Sequence, residues 1–282
     1  MFLRYVEATA DEAMLTAARN QSEISSRLLQ ATEGRANDGA VPGVQVQRAR
    51  IEADRSKRAV ARREADVRAS RLRLAAAMGI DGLSSPLRAV PDLSAILPTQ
   101  STAETPEIAV RTAEVQGATA DVRTARLLGR PEFQIEARRA PFYETSNQIY
   151  ARLQISFPLF DGRRTRAERG AAEDRRVAAE RTLADTRQQA EAALQAARIE
   201  FVAAQEEVAS FEPTLESART LVLRSEVGLI EGATTFTDTL EAVRALREVE
   251  EGLVEARRRL GETLAELLRA TGIVLPALRG AR

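Results

Sequence analysis

The chain has 282 residues, of which 41 are basic and 41 acidic; the formal charge cancels, and the two signs interleave as on solvated helix faces, with no nucleic-acid surface. Aromatic residues make up 4% and Trp, Cys and His are absent, which is thin material for a compact core and rules out a nucleophile–base pair or a soft-metal site. No catalytic residue, cofactor or metal site is expected. The 29% of charged residues, spread through Ala-, Leu-, Arg- and Glu-rich stretches, is the composition of long or coiled-coil helices.

Helical spacing runs from residue 3 to Ala36, with Gly34 near its end, and the turn residues Asn37 to Gly43 lead into a second helix from Val44 to Met78. Residues 1–80 therefore read as a helical hairpin, and the Gly- and Pro-rich residues 81–104 as a linker. Helix resumes over 105–128, with Thr105 as N-cap and Pro106 as first helical residue. Over 131–157 the period changes from helical to two: Phe133, Ile135, Ile149, Leu153 and Ile155 are apolar, while Gln134, Glu136, Arg138, Arg152 and Gln154 are polar. Turn residues between the two stretches make them a β-hairpin. Long helices follow over 162–226 and 237–271, the first running with little interruption to about Ser210, with Pro213 opening the segment after it. A second tip lies at Val227 to Thr235, and the last helix carries Leu240, Leu246, Leu253, Leu260, Leu264 and Leu267 at three, four and seven spacing.

A gap-free offset of 193 lays Glu7–Ile80 on Glu200–Ile273, pairing Gly39-Ala40 with Gly232-Ala233 and Gly79-Ile80 with Gly272-Ile273. The expected architecture is mainly α with a small β part and internally duplicated, residues 1–80 forming an incomplete first repeat and 105–282 the second. The counterpart of the 131–157 hairpin falls before Met1. The chain is thus expected to start inside its first repeat, with a signal peptide, a leading helix and another alternating hairpin upstream.

Strands of about 9–11 residues suffice to cross a bilayer when tilted in a barrel. On that reading Phe133, Ile135, Ile149, Leu153 and Ile155 meet lipid, and Gln134, Glu136, Arg138, Arg152 and Gln154 face a wet lumen. Within Phe133–Arg138 and Ile149–Phe157 the charges occupy the lumen positions only. Phe142, Tyr143 and Tyr150 at one end and Phe157 and Phe160 at the other suit interfacial girdles. Open strand edges must be paired within a membrane, so other copies of the hairpin are implied.

The stretch Ile155-Ser-Phe-Pro-Leu-Phe-Asp-Gly-Arg-Arg164, leading into an Ala/Glu/Arg-rich helix, resembles the strand-to-helix junction of TolC-type bacterial outer-membrane efflux channels, with Pro158, Phe160, Asp161 and Gly162 as its matching residues. The tips at Gly39–Ala49 and Val227–Ala242 are similar to that family's paired helix turns. The resemblance implies a homotrimer whose strands build an outer-membrane β-barrel in lipid and whose helices build a periplasmic α-barrel. It also implies export of small molecules or metal ions through that tunnel, with a periplasmic adaptor and an inner-membrane pump as partners. Gly34, Arg35, Gly228 and Leu229 stand where the family's adaptor-docking turns lie, and Asp38, Glu231 and Asp238 read as solvated tip charges. A periplasmic adaptor or coiled-coil scaffold, and a non-functional channel fragment, are the alternative readings.

Overall fold

The structure, a computed structural model, describes residues 1–83, 87, 105–128, 130–140, 148–156 and 163–272, without the side chains of 138–140 and 148–150. The elements in chain order are α1 (Phe2–Asn37), α2 (Gly43–Met78), α3 (Pro106–Leu127), β1 (Glu132–Ala140), β2 (Gln148–Ser156), α4 (Arg164–Glu231) and α5 (Phe236–Ala270). Local chemistry sets several boundaries. Thr105 Oγ1 accepts from the Ile108 N–H and Pro106 opens α3. Gly79 ends α2 in the left-handed conformation with φ 70°, where a side chain would be strained.

Packing divides the chain into two units, one of residues 1–101 with 193–282 and one of 102–192, so α4 contributes to both. In the first unit, apolar clusters form at three levels. Leu194, Ala197 and Phe201 of α4 pack on Leu264, Leu267 and Leu268 of α5, with Phe2 alongside. Further along, Ile24 of α1 meets Ala218 and Val222 of α4 and Ala242, Val243 and Leu246 of α5. At the tips, Leu28, Ala49, Leu229, Phe236 and Leu240 join four helices. Hence α1 and α4 run toward the tips while α2 and α5 run away. Each fully buried Leu contributes about 1.5–3 kcal/mol, so these clusters carry the fold.

Gly261 allows α1 and α5 to approach closely, since a Cβ there would lie 2.7 Å from Val6 Cγ1. Between α1 and α2, ion pairs Arg71–Glu12 (2.6 Å), Arg19–Glu64 (2.9 Å), Arg50–Glu33 (3.1 Å) and Arg73–Glu7 (3.1 Å) line the joint. Apart from the part-buried Arg71–Glu12 pair these lie near the surface, where a pair is worth about 0–1 kcal/mol, so they align the helices more than they hold them. The Arg4 hydrogen bond, helped by Arg73, keeps the Glu7 carboxyl below its usual range. Glu52 on α2 is buried, with Arg55 and Arg244 at 3.7 Å and Arg247 at 3.9 Å, which ties α2 to the start of α5.

In the second unit Val122 and Ala125 of α3 pack on Ala172 of α4, and β1 and β2 form an antiparallel two-stranded sheet. Among the described residues no helix is long and apolar enough to cross a membrane.

α4 differs from the sequence expectation in being unbroken, since Pro213 lies within it. An interior proline costs about 3 kcal/mol by removing a backbone bond and crowding the preceding turn. Both flanks are anchored, by Phe201 on the α5 end and by Ala218 and Val222 on α5 and Ile24. Packing on two sides outweighs the local defect.

Glu250 is 9% exposed, and burial raises its carboxyl above the usual range while the Arg219 charge pulls the other way. Below the ordinary carboxylate range Glu250 is neutral folded or unfolded and costs nothing. As pH rises through its raised folded value, the buried charge lowers stability. Glu250→Gln should therefore raise the thermal midpoint at pH 7, with the gain vanishing as pH falls below about 4. Melting curves across that range check it; a lowered midpoint at pH 7 would mean that the Arg219 attraction outweighs burial.

Candidate functional site

The tips of the two helical hairpins lie together in the first unit. α1 ends by folding three N–H groups back on its last carbonyls: Asp38 on Gly34 (3.1 Å), Gly39 on Ala36 (3.0 Å) and Ala40 on Arg35 (2.8 Å), with Gly39 at φ 72°. α4 ends the same way. Gly232, at φ 80°, bonds to Leu229 (3.3 Å), and Ala233 bonds to Gly228 (2.7 Å). A glycine in the left-handed region is the usual solution where a helix stops and the chain must turn back. α5 then starts on a capping box, in which Thr235 Oγ1 accepts from the Asp238 N–H (3.2 Å) and Asp238 Oδ2 accepts from the Thr235 N–H (3.3 Å).

Arg35 joins the two turns. Its Nη1 donates to the Leu229 carbonyl at 2.7 Å, satisfying an oxygen that the end of α4 leaves with spare accepting capacity. Arg27 adds an ion pair to Glu226 at 3.4 Å.

Of the four residues expected to dock a partner, Gly34 is exposed, Arg35 is half-buried in its bond to the neighbouring tip, and Gly228 and Leu229 are buried, Leu229 at 1% exposure. Gly228 is buried for a specific reason. A Cβ there would lie 2.8 Å from Thr234 Cγ2, and Thr234 is itself fixed by its hydroxyl donating to the Ser225 carbonyl at 3.0 Å. The surface of the second tip is instead Val227, Ile230 and Glu231, with Asp38 and Ala40 exposed on the first. Asp238, expected as a solvated tip charge, is held in the α5 cap. The Thr-x-x-Asp spacing of residues 235–238 is a sequence signal for that cap.

The hairpin places its residues by register. Phe133 pairs with Ile155, Ile135 with Leu153, Ala137 with Ala151 and Arg139 with Ile149, and between these lie Gln134 with Gln154, Glu136 with Arg152 and Arg138 with Tyr150. Paired residues share a face in an antiparallel ladder, so one face is apolar and the other polar, with opposite charges at positions 136 and 152. Phe133, Ile135, Leu153 and Ile155 are 68%, 78%, 63% and 43% exposed. β1 runs two residues past Arg138, to Ala140. Pro158, Phe160, Asp161 and Gly162, together with Phe142, Tyr143 and Phe157, lie outside the described residues.

Arg169 carries no distinguishing signal in the sequence. Its Nε donates to the Ala125 carbonyl (3.1 Å) and its Nη2 to those of Arg126 (3.2 Å) and Leu128. A positive side chain on the last carbonyls of α3 satisfies both hydrogen bonding and the helix dipole just before β1 begins.

A family profile described as outer membrane efflux protein matches residues 97–273, well over half of the chain. The chain belongs to the outer membrane efflux protein family. No curated protein matches it by sequence. Among solved structures it is similar to CusC, described for folding and transmembrane channel formation, with a TM-score of 0.82 at 18% identity over 96% of this chain and 66% of that one. It is also similar to the outer membrane protein VceC of Vibrio cholerae, with a TM-score of 0.78 at 18% identity over 95% and 68% of the two chains. For the outer-membrane channel OprN the TM-score is 0.77 at 20% identity, over 96% and 64%. The fold is thus TolC-type, and the chain spans about two thirds of the length of these channels.

The two tip glycines should respond oppositely to one methyl group. Gly228→Ala presses on the fixed Thr234 and should cost about 1–3 kcal/mol as overpacking. Gly34→Ala meets nothing within 4 Å and lies in a helix, so it should be neutral or stabilise by about 0.5–1 kcal/mol. Denaturant unfolding of both variants checks the contrast, and Thr234→Ala added to Gly228→Ala should recover part of the loss.

Proposed function

We propose that this protein is the channel subunit of a multi-component efflux system in the bacterial outer membrane. It exports small molecules or metal ions outward without chemistry of its own. It acts as a homotrimer in which the hairpins of all copies close a transmembrane β-barrel and the long helices close a periplasmic tunnel. A periplasmic adaptor meets the tips around the exposed Asp38, Ala40 and Glu231, and an inner-membrane pump supplies the energy. The two tips, closed by the same hydrogen bonds around Gly39 and Gly232, support reading residues 1–80 and 105–282 as duplicated repeats joined by the 81–104 linker.

The observation that carries this reading is the register of the hairpin. It collects Phe133, Ile135, Leu153 and Ile155 on one exposed face and leaves Gln134, Glu136, Arg152 and Gln154 on the other. A two-stranded hairpin with such a face is marginal in water. In a barrel its apolar face meets lipid, its polar face lines a wet lumen, and its edges pair with further strands.

The facing makes a signed prediction. Leu153→Arg puts a charge into hydrocarbon and should cost about 2–4 kcal/mol near the midplane, enough to hinder insertion. Gln154→Arg points into water and should cost little, altering conductance at most. Heat-resistant oligomer in outer-membrane fractions of the full-length protein measures both. Equal loss for the two, or greater loss for Gln154→Arg, would overturn the facing and the membrane reading with it. A wild-type product that stays monodisperse without detergent would overturn the reading too.

A further inference from the structure

Two helix faces in the four-helix unit carry apolar stripes that stay exposed, with no partner among the described residues. On α4, Ile199, Val202, Leu223, Val227 and Ile230 are 70%, 50%, 60%, 54% and 67% exposed, while the stripe through Leu194, Phe201, Val222 and Leu229 is buried. The exposed residues keep an alternating three and four spacing that continues through the middle of the helix at Glu206, Ala209, Pro213 and Glu216, all exposed, and at the half-buried Thr220. That is the period of a coiled-coil seam. On α2, Val44, Ile51 and Leu72 are 57%, 52% and 64% exposed, and steps of seven between them fall on the exposed Arg58 and Ala65. Each seam is apolar at its ends and charged in its middle, with opposite signs.

Relative heights follow from contacts within the unit. Glu52 of α2 lies beside Arg244 and Arg247 of α5, and Val243 and Leu246 of α5 pack on Ala218 and Val222 of α4. Position 52 is therefore level with about position 220, and the two helices run in opposite directions. Ile51 is then level with about position 221, within about 3 Å along the axis of Leu223, the nearest large apolar residue of the α4 seam. Stepping seven residues in opposite directions, Val44 is level with Ile230, Arg58 with Glu216, Ala65 with Ala209 and Leu72 with Val202. In the layer between, Arg68 is level with Glu206. None of these four charged residues has an ion-pair partner among the described residues, and Arg58 only donates its Nε to the Asp54 carbonyl at 3.2 Å.

We propose that the α2 seam of one copy seats antiparallel on the α4 seam of the next, in this register, with Arg58–Glu216 and Arg68–Glu206 crossing the joint. This rests on the channel reading and adds to it the two faces and their alignment. A rotation axis along the helices keeps neighbouring copies at equal height, so the levels within one copy carry over to the joint. Because the two faces differ, the contact is heterologous and closes only as a ring. The occupant of each face is another copy because the charge pattern of one is matched by the other: apolar, basic, small, apolar against apolar, acidic, small, apolar.

The chain has no cysteine, which permits a direct test in the full-length protein in outer-membrane fractions. The double variants I51C/L223C and L72C/V202C, mildly oxidised and run denatured without reductant, should give covalent dimers and trimers in most of the material. I51C/V202C, displaced by three heptads or roughly 30 Å, should not cross-link, since a disulfide needs Cα atoms within about 7 Å. R58E or E216R alone should lower the assembled fraction by about tenfold through like-charge opposition, and R58E/E216R should restore it to within about twofold. Oligomer that forms without the in-register cross-links, or cross-links confined to single chains, overturns the joint and leaves the channel reading standing. Failure of the charge exchange to rescue assembly overturns the register. Absence of any oligomer in the wild type overturns both.

Discussion

Everything in the four-helix unit depends on α5. Each of its three apolar clusters includes residues of α5, at Phe236 and Leu240 near the tips, at Ala242, Val243 and Leu246 beyond them, and at Leu264, Leu267 and Leu268 at the far end. α1 and α4 lie against this one helix, and α1 lies so close that Gly261 leaves no room for a methyl group beside Val6. Long helices with few aromatic residues cannot build a deep core, so the large side chains that cluster do so along a single shared strip. Most of the stability of such a helix comes from this packing, since its intrinsic propensity is a weak contributor. The consequence of a shared strip is that the other sides of α2 and α4 remain uncovered.

The sequence made the helices, the hairpin and their order legible because each follows a period. Leu240, Leu246, Leu253, Leu264 and Leu267, read as a helical seam, are all buried on α5. The alternation at 133–138 and 149–155 reads as two strands, and the ladder puts like with like. Glycines at 39, 79, 232 and 272 mark helix ends, and all four have positive φ. What did not follow was anything decided by residues far apart in the chain. Pro213 reads as a break because the local rule is strong, yet the packing that carries α4 through it comes from α1 and α5. Leu229 is placed by resemblance where the family's docking turns lie, and its packing under Leu28 and Phe236 comes from α1 and α5, which no local pattern around it announces.

The arginines show the same limit. In a chain with so many of them, no spacing separates Arg35, which bonds the neighbouring tip, or Arg169, which caps α3, from arginines that make local pairs such as Arg176 with Glu173 and Glu180. Local pairs three and four residues apart are visible in sequence and are worth only a few tenths of a kcal/mol. Arg35 and Arg169 do more, because each donates to carbonyls at the end of a different helix, where accepting capacity is left over. Their partners belong to other helices and are visible only once the chain is folded.

The charges in the uncovered seams address a problem that apolar residues alone cannot solve. A seam of Val, Ile and Leu repeats every seven residues, so two such seams fit almost equally well when slid by one heptad. With Arg58 in α2 and Glu216 in α4 that degeneracy is lost. Sliding by seven would set Arg58 against Leu223 or Ala209 and leave both charges without a partner in a joint that excludes water. An unpaired charge costs far more there than the apolar contacts of one heptad gain. In the proposed alignment the two charges meet and Ala65 meets Ala209, small against small. The same logic governs coiled coils in which one buried polar layer fixes the register at some cost in stability. Here that layer fixes the height of one copy against the next, a requirement for any ring whose strands must also meet edge to edge.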